Sequence, residues 1–110
     1  MTMQRFYNPM MISVNPTWND TVVLAANTAK LYEIPANVDK IFIGSTVDVH
    51  IKLGASDAVA AIVTEDVLDG SGCLFNPDSI IEIPYSVTHI SIISASSGLA
   101  FISSWKKRSA

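Results

Sequence analysis

The chain has 110 residues, of which 49% are hydrophobic and only 15% are charged, and its formal net charge is −3 at pH 7. This length fits a single domain, the negative charge argues against a nucleic-acid binder, and no stretch approaches the about 20 consecutive apolar residues of a membrane-spanning helix. Because soluble domains carry about 25% charged residues, we expect contacts with other copies or other proteins to cover part of the surface.

Residues 1–20 are predicted to form an N-terminal arm. They include all four methionines of the chain and several aromatic residues, a composition that disordered tails usually lack. Two interpretations stay open, namely an edge strand or strap on the chain's own domain and an arm that docks on a neighbouring subunit. The low overall charge favours the second, which makes these residues candidate interface residues: Phe6, Tyr7, Met10, Met11 and Trp18.

Short β-strands are predicted directly after the arm. Residues 19–20 are an Asn-Asp turn signal, and a β-branched run follows at residues 21–24. Residues 30–34 alternate polar and apolar side chains before a proline, as a half-buried strand does. Residues 40–45 predict another strand, and residues 47–53 place Val, Ile and Leu on one face with Asp, His and Lys on the other.

The links between strands are less regular. The link at residues 44–46 is so short that it predicts a hairpin turn or a bulge. Residues 58–67 are compatible with a short helix or a strand, and neither is favoured. Residues 69–72, Asp-Gly-Ser-Gly, are the strongest turn signal. Three further strands are predicted at residues 79–83, 89–92 and 99–105.

A repeat relates the two halves of this region. The run Glu33-Ile34-Pro35 returns 49 residues later as Glu82-Ile83-Pro84, and isoleucines recur at alternate positions after each copy. With about eight short strands between turn signals, this predicts an all-β domain at residues 21–105, a jelly-roll or Greek-key β-sandwich built from two related halves. Residues 106–110 are predicted as a basic C-terminal tail.

Few residues indicate chemistry. Asp48 and His50 share one strand face and could meet His89, but their spacing matches no metal motif, so exposed polar residues are the favoured interpretation. Cys73 has no recognisable base nearby and is predicted to be a small buried thiol. One acidic stretch contains residue types found in calcium loops but lacks EF-hand spacing, so an ordinary acidic turn is favoured: Glu65, Asp66, Asp69 and Gly70. The sequence therefore predicts no enzyme, no cofactor and no metal site.

Two further sets of residues are candidates for contacts. The basic tail could touch an acidic partner surface, although a solvated terminus is the default; its candidate interface residues are Lys106, Lys107 and Arg108. Aromatic side chains could stack on sugars, although core or interface packing is favoured for each one singly: Tyr7, Trp18, Tyr32, Tyr85 and Trp105.

The repeated Ile-Pro-x-x-Val-x-x-Ile-x-Ile units resemble the pattern of the small all-β virion proteins that many tailed bacteriophages encode. The resemblance extends over about residues 30–105 and is a pattern of strands and turns rather than a catalytic signature. It rests on the following segments: Ile34-Pro35, Asn37-Val38, Lys40-Ile41-Phe42-Ile43, residues 47–54, Asp69-Gly70-Ser71-Gly72, Asn76-Pro77, residues 89–93 and residues 99–105.

The resemblance implies a jelly-roll-like structural protein of the phage particle. A capsid cement or decoration protein fits best, often a trimer placed where major capsid subunits meet, with the major capsid protein or other virion proteins as partners. It would be made in the bacterial cytoplasm and located in the virion. The alternatives are a tail, collar or fibre-attachment module and a glycan- or host-surface-binding module. The resemblance brings no catalytic residues, and the arm and the tail lie outside it.

Overall fold

The fold, taken from a computed structural model that describes residues 16–106, consists of β-strands without a helix in that range. The strands are β1 (Trp18–Leu24), β2 (Lys30–Glu33), β3 (Val38–Ser45), β4 (His50–Gly54), β5 (Leu74–Phe75), β6 (Ile81–Glu82), β7 (His89–Ile93) and β8 (Gly98–Lys106). They form two four-stranded antiparallel sheets, sheet A in the order β1-β8-β3-β6 and sheet B in the order β2-β7-β4-β5. The all-β, sandwich-like prediction is confirmed.

Aliphatic side chains from both sheets form the core. Alternation along the strands creates it, because neighbouring residues of a strand point to opposite faces. On β8, Ala100 and Ile102 are fully buried while Phe101 between them is exposed. Burying one Ile or Leu side chain contributes about 1.5–3 kcal/mol. The core cluster consists of Val22, Leu24, Ile41, Ile43, Val49, Ile51, Ile90, Ile92, Ala100 and Ile102.

The link between β3 and β4 passes from sheet A to sheet B, so the prediction of a hairpin turn or a bulge at residues 44–46 is wrong. Val49 explains the crossing, because its side chain is fully buried in the core between the sheets. Its backbone N–H donates to Oδ1 of Asn76 at 2.7 Å and its carbonyl accepts from the N–H of Asn76 at 3.0 Å. These two bonds satisfy the Val49 backbone where a hairpin partner would otherwise do so.

The turn predicted at residues 19–20 is also wrong, because Asn19 and Asp20 pair with Ser103 and Ile102 inside the β1–β8 ladder. β1 begins at Trp18, within the range predicted as the arm. The long strand β8 supplies nine residues of backbone for pairing, and these ladder hydrogen bonds outweigh the turn preference of Asn-Asp.

Residues 55–73, called the cover segment below, contain neither helix nor strand and lie on the outer side of sheet B. The N–H of Ala60 donates to Oγ of Ser91 at 2.8 Å, and Nζ of Lys52 donates to the carbonyl of Ser71 at 3.2 Å. Ser91 and Lys52 point outward from β7 and β4, since their neighbours Ile90, Ile92 and Ile51 point into the core. The question left open for residues 58–67 is thereby answered: they are an irregular cover.

The strand positions follow the sequence repeat. The offset of 49 residues relates β2 to β6, β3 to β7 and β4 to β8. The remaining two strands, β1 and β5, are each the first strand of their half. Replacing each strand of sheet A by its counterpart gives β5-β4-β7-β2, which is sheet B counted from its other edge. The two Pro turns exchange matching hydrogen bonds: the Ile34 N–H donates to the Thr88 carbonyl at 3.0 Å, and the Ile83 N–H donates to the Asp39 carbonyl at 2.8 Å.

Candidate interaction surfaces

The outer side of sheet A presents an uncharged surface. In the strand register, Val23 lies opposite Leu99, and Phe101 lies between Thr21 and Gly44. In the next row, Ser103 lies between Asn19 and Phe42. No side chain is charged among the eight positions, all in the described part of the chain, that we call the sheet A face: Asn19, Thr21, Val23, Phe42, Gly44, Leu99, Phe101 and Ser103.

The centre of the sheet A face is apolar and slightly hollow. Val23 is 65% exposed and Phe101 is 42% exposed. Gly44 lies directly beside Phe101, and a Cβ atom added to it would meet only the Phe42 ring, at 3.8 Å. Charges begin only at the end of the sheet, where Lys40 pairs with Glu82. Antiparallel sheets that face water normally carry polar residues on that side, so this face is the strongest candidate for a contact surface.

Sheet B differs because the cover segment shields it. The outward residues Ser91 and Ile93 are both buried. The cover segment exposes some apolar side chains, Leu68 most of all, but also the acids Glu65 and Asp66. The cover segment therefore shields the middle strands of sheet B, although apolar side chains on its edge strands β2 and β5 stay about half exposed. No segment of the described residues shields the middle of sheet A in this way.

An open groove of about 740 Å³ lies between the two repeated Pro turns. Its lining includes the carboxylates Glu33, Asp39 and Glu82, and Tyr85 stands at its margin with a fully exposed ring. The reciprocal hydrogen bonds of Ile34 and Ile83 run between the same turns. The groove thus lies where the two halves of the repeat meet.

A hydrogen-bonded cluster ties the two sheets together near this groove. The Trp18 Nε1–H donates to Oδ2 of Asp20 at 2.8 Å, and the Tyr32 hydroxyl donates to the same oxygen. Burial raises the pKa of Tyr32 well above its usual range, and the hydrogen bond to Asp20 and the negative charge of Asp20 raise it further. Because Asp20 belongs to β1 and Tyr32 to β2, the cluster links the edge strands of opposite sheets.

Asp48, His50 and His89 do not come together as a metal site. His50 pairs with Ile93, whereas His89 pairs with Gly54 four rungs away, which separates the histidines by about 13 Å along the strands at the usual rise. The His50 ring packs on Phe75 with ring centres 5.0 Å apart, and Asp48 accepts from Nδ2 of Asn76 at 2.8 Å. Among residues 16–106, no group of three or more His, Cys, Asp or Glu side chains could hold a metal ion.

The acidic turn serves local structure, and Cys73 follows directly after it. Cys73 is a free thiol and is only half-buried, less than the buried thiol predicted for it. Oδ1 of Asp69 accepts from the N–H of Ser71 at 3.0 Å and from its hydroxyl at 2.6 Å. These bonds to Ser71 hold the pKa of Asp69 below its usual value. The turn also places Gly70 at a left-handed φ of 87°, so the Asp-Gly-Ser-Gly signal is explained by turn geometry.

Of the predicted interface residues, only Trp18 and Lys106 belong to the part of the chain that the structure describes. Trp18 is 45% exposed and lines a shallow groove with Lys106 at the end of β8. Of the aromatic residues weighed as a sugar platform, Trp18 and Tyr32 converge on Asp20, whereas Tyr85 lies on the other groove and Trp105 on sheet A. The others lie outside the described residues: Phe6, Tyr7, Met10, Met11, Lys107 and Arg108.

The sheet A face itself was missed by sequence reasoning. Alternation along the predicted strand at residues 99–105 places Leu99 and Phe101 on one strand face. The sequence does not show which strands pair with the strand at residues 99–105. Only the pairing of β8 with β1 and β3 brings the uncharged positions together into one surface. The available signal was the absence of any charged residue between positions 98 and 105.

Compared with known proteins, the chain matches no family model, no curated protein and no solved structure to a significant degree. In the described range, no helix is long and apolar enough to cross a membrane. The resemblance to phage virion proteins therefore stays a prediction, and the surfaces described above are what supports a function.

Proposed function

We propose that the protein is a structural subunit of a bacteriophage particle, most specifically a capsid cement or decoration protein that bridges major capsid subunits. In this proposal it is a homo-oligomer, with a trimer favoured, and it works in the virion without a catalytic step, a cofactor or a metal. The observation that carries the proposal is the sheet A face, an uncharged and partly exposed side of an antiparallel sheet.

The strand order supports a jelly roll as the specific fold of this subunit. A jelly roll has eight strands in two sheets and contains two Greek keys. In this chain the first four strands alternate between sheet A and sheet B, and strands β5 to β8 do so in the opposite sense. We infer that the two halves, β1 to β4 and β5 to β8, are related by an approximate twofold axis that exchanges the sheets and passes near the groove between the Pro turns.

The physical demands on a cement protein agree with these features. Such a protein adds contact area across joints between capsid subunits, so it needs broad surfaces that cost little to remove from water. Charged side chains are expensive to bury without partners, and stable interfaces are more hydrophobic than ordinary surface. The 15% charged residues of the chain and its uncharged sheet A face both meet this demand.

A tail, collar or fibre-attachment module would use the same surface, and the position of the protein on the particle separates it from a capsid cement. A glycan-binding module is the second candidate class, and a different observation favours it. The groove between the Pro turns combines the exposed Tyr85 ring with carboxylates of Glu33 and Glu82, and aromatic faces with adjacent acceptors suit sugar recognition.

The test is the native mass of the purified chain, followed by its sedimentation with phage particles of the genome that encodes it. We expect a stable oligomer, with a trimer at about three times 11.9 kDa, that sediments with the particles. A monomer that stays in the supernatant would overturn the assembly proposal. The glycan-binding candidate would then replace it, and a glycan array would be the next measurement.

A further inference from the structure

We propose that the sheet A face of one copy binds residues 1–15 of a neighbouring copy. The inference rests on the proposed function, since it names the contact through which the oligomer would form. It identifies both the surface and its occupant, and each follows from a separate observation.

The repeat identifies the occupant. In the second half of the chain, the segment that precedes the first strand β5 is the cover segment, and it shields the outer side of sheet B. The counterpart of β5 is β1, and the segment that precedes β1 is residues 1–15. Under the exchange of sheets, Ser91 on β7 corresponds to Phe42 on β3, because the two positions are 49 residues apart. In sequence, residues 1–15 thus precede β1 as the cover segment precedes β5, which makes them the expected occupant of the sheet A face.

The chemistry of residues 1–15 matches that face. They contain one charged residue, Arg5, and eight apolar side chains, among them all four methionines of the chain. No charge of the face has to be desolvated, since its eight positions carry none. Methionine adapts to irregular surfaces, which suits the hollow at Gly44 between Phe42 and Phe101.

The turn chemistry indicates that the occupant comes from a neighbour. The cover segment doubles back into β5 through residues 69–72, where Gly70 has a left-handed φ of 87°. The positions equally far ahead of β1 are residues 13–16, Ser-Val-Asn-Pro, which contain no glycine. Pro16 also biases the preceding residue towards extended backbone. Directly after it, the Thr17 N–H donates to the Ser104 carbonyl at 2.9 Å, so the chain already follows the strand direction there.

The reach of the segment is sufficient. Fifteen extended residues span about 50 Å, whereas a nine-residue strand spans about 30 Å. Residues 1–15 can therefore leave their own domain and still cross the sheet A face of the next copy. Reversal onto their own face by the turn that the cover segment uses would require a left-handed φ at Val14, the position that matches Gly70, and β-branched residues rarely adopt one.

The experiment uses the full-length chain with p-benzoylphenylalanine in place of Phe6. Equal amounts of unlabelled and ¹⁵N-labelled protein are mixed and irradiated, and cross-linked peptides are identified by mass spectrometry. We expect mixed-label cross-links between residue 6 and peptides of β1, β3 or β8. Cross-links confined to one chain, or mixed-label links to sheet B or the cover segment, would overturn the inference.

A charge placed at the centre of the face gives the second readout. Gly44→Lys meets no steric obstacle, because an added Cβ has its nearest contact at 3.8 Å and the backbone is not left-handed. It should weaken self-association at least about tenfold, because an unpaired ammonium is costly to bury. Gly72→Lys makes the same chemical change on the cover segment, where the nearest atom to an added Cβ is 3.9 Å away, and should leave self-association unchanged.

The outcomes separate this inference from the proposed function. Thr21→Lys, on the exposed position opposite Phe101, repeats the test if Gly44→Lys does not fold. An oligomer that survives both substitutions, and still sediments with particles, would refute the contact while leaving the assembly role intact. A wild-type chain that is monomeric and does not sediment would refute both.

Discussion

Replacing Ser91 by alanine should open the cover segment while leaving the two sheets folded. Ser91 and Ala60 are almost completely buried, at 1% and 2% exposure, and the Ala60 N–H donates to the Ser91 hydroxyl at 2.8 Å. The substitution removes one oxygen atom, so it leaves little cavity but strands a buried N–H. An unsatisfied buried donor costs about 1–3 kcal/mol.

This cost should appear locally, because the cover segment has no strand of its own and opens more easily than the sheets. We expect amide exchange of residues 58–67 to accelerate roughly 5- to 150-fold in Ser91→Ala, the equivalent of that cost. Hydrogen exchange followed by mass spectrometry or NMR measures it, with β3 and β8 amides as internal references. The matched control is Ser103→Ala, whose hydroxyl bonds Asn19 Oδ1 at 2.9 Å on sheet A. Exchange of residues 58–67 that is the same in wild type and both variants would refute the role given to Ser91.

The remaining predictions concern one phenol and two glycines. Above about pH 10, the ordinary pKa of tyrosine, the unfolded chain loses the Tyr32 proton while the folded chain keeps it. The free energy of unfolding should therefore fall as the pH rises above about 10. Urea unfolding between pH 8 and pH 11 should show a smaller fall for Tyr32→Phe; an equal fall contradicts the assignment. Gly98→Ala should destabilise the fold by about 1–3 kcal/mol, because its Cβ would approach a Val47 methyl carbon to 2.8 Å. Gly44→Ala, with space for a Cβ, should be neutral or slightly stabilising, and equal urea midpoints for the two variants would refute this difference.

Strands that carry alternation were predictable because their buried faces follow directly from side-chain chemistry. Isoleucine or alanine stands at alternate positions along β3, β7 and β8, and each of these strands is found where that pattern predicts it. The Pro endings of the repeated segments were equally readable, since proline cannot continue a ladder in the middle of a sheet. Alternation shows which residues of a strand share a face, but it does not show which strand lies alongside it.

The errors arise where pairing between distant strands decides the local conformation. Asn19 and Asp20 favour a turn locally, but hydrogen bonds to residues more than 80 positions away hold them in β1. Val49 is paired through Asn76 rather than through β3, so a link short enough for a hairpin instead crosses between sheets. No window of neighbouring residues contains either partner, which is why both local predictions were wrong.

The two outer faces also differ in how a cover can be held. Sheet B presents Ser91 and Lys52, whose side chains form directed hydrogen bonds to the cover segment and so fix its position. On the sheet A face the Ser103 hydroxyl is already bonded to Asn19, and the exposed area around Phe101 is apolar. Apolar contact is not directional, so an occupant of the sheet A face gains burial without a required backbone partner. A neighbouring copy can satisfy such a surface, and this is the physical basis for proposing assembly through sheet A, whereas the cover of sheet B is internal.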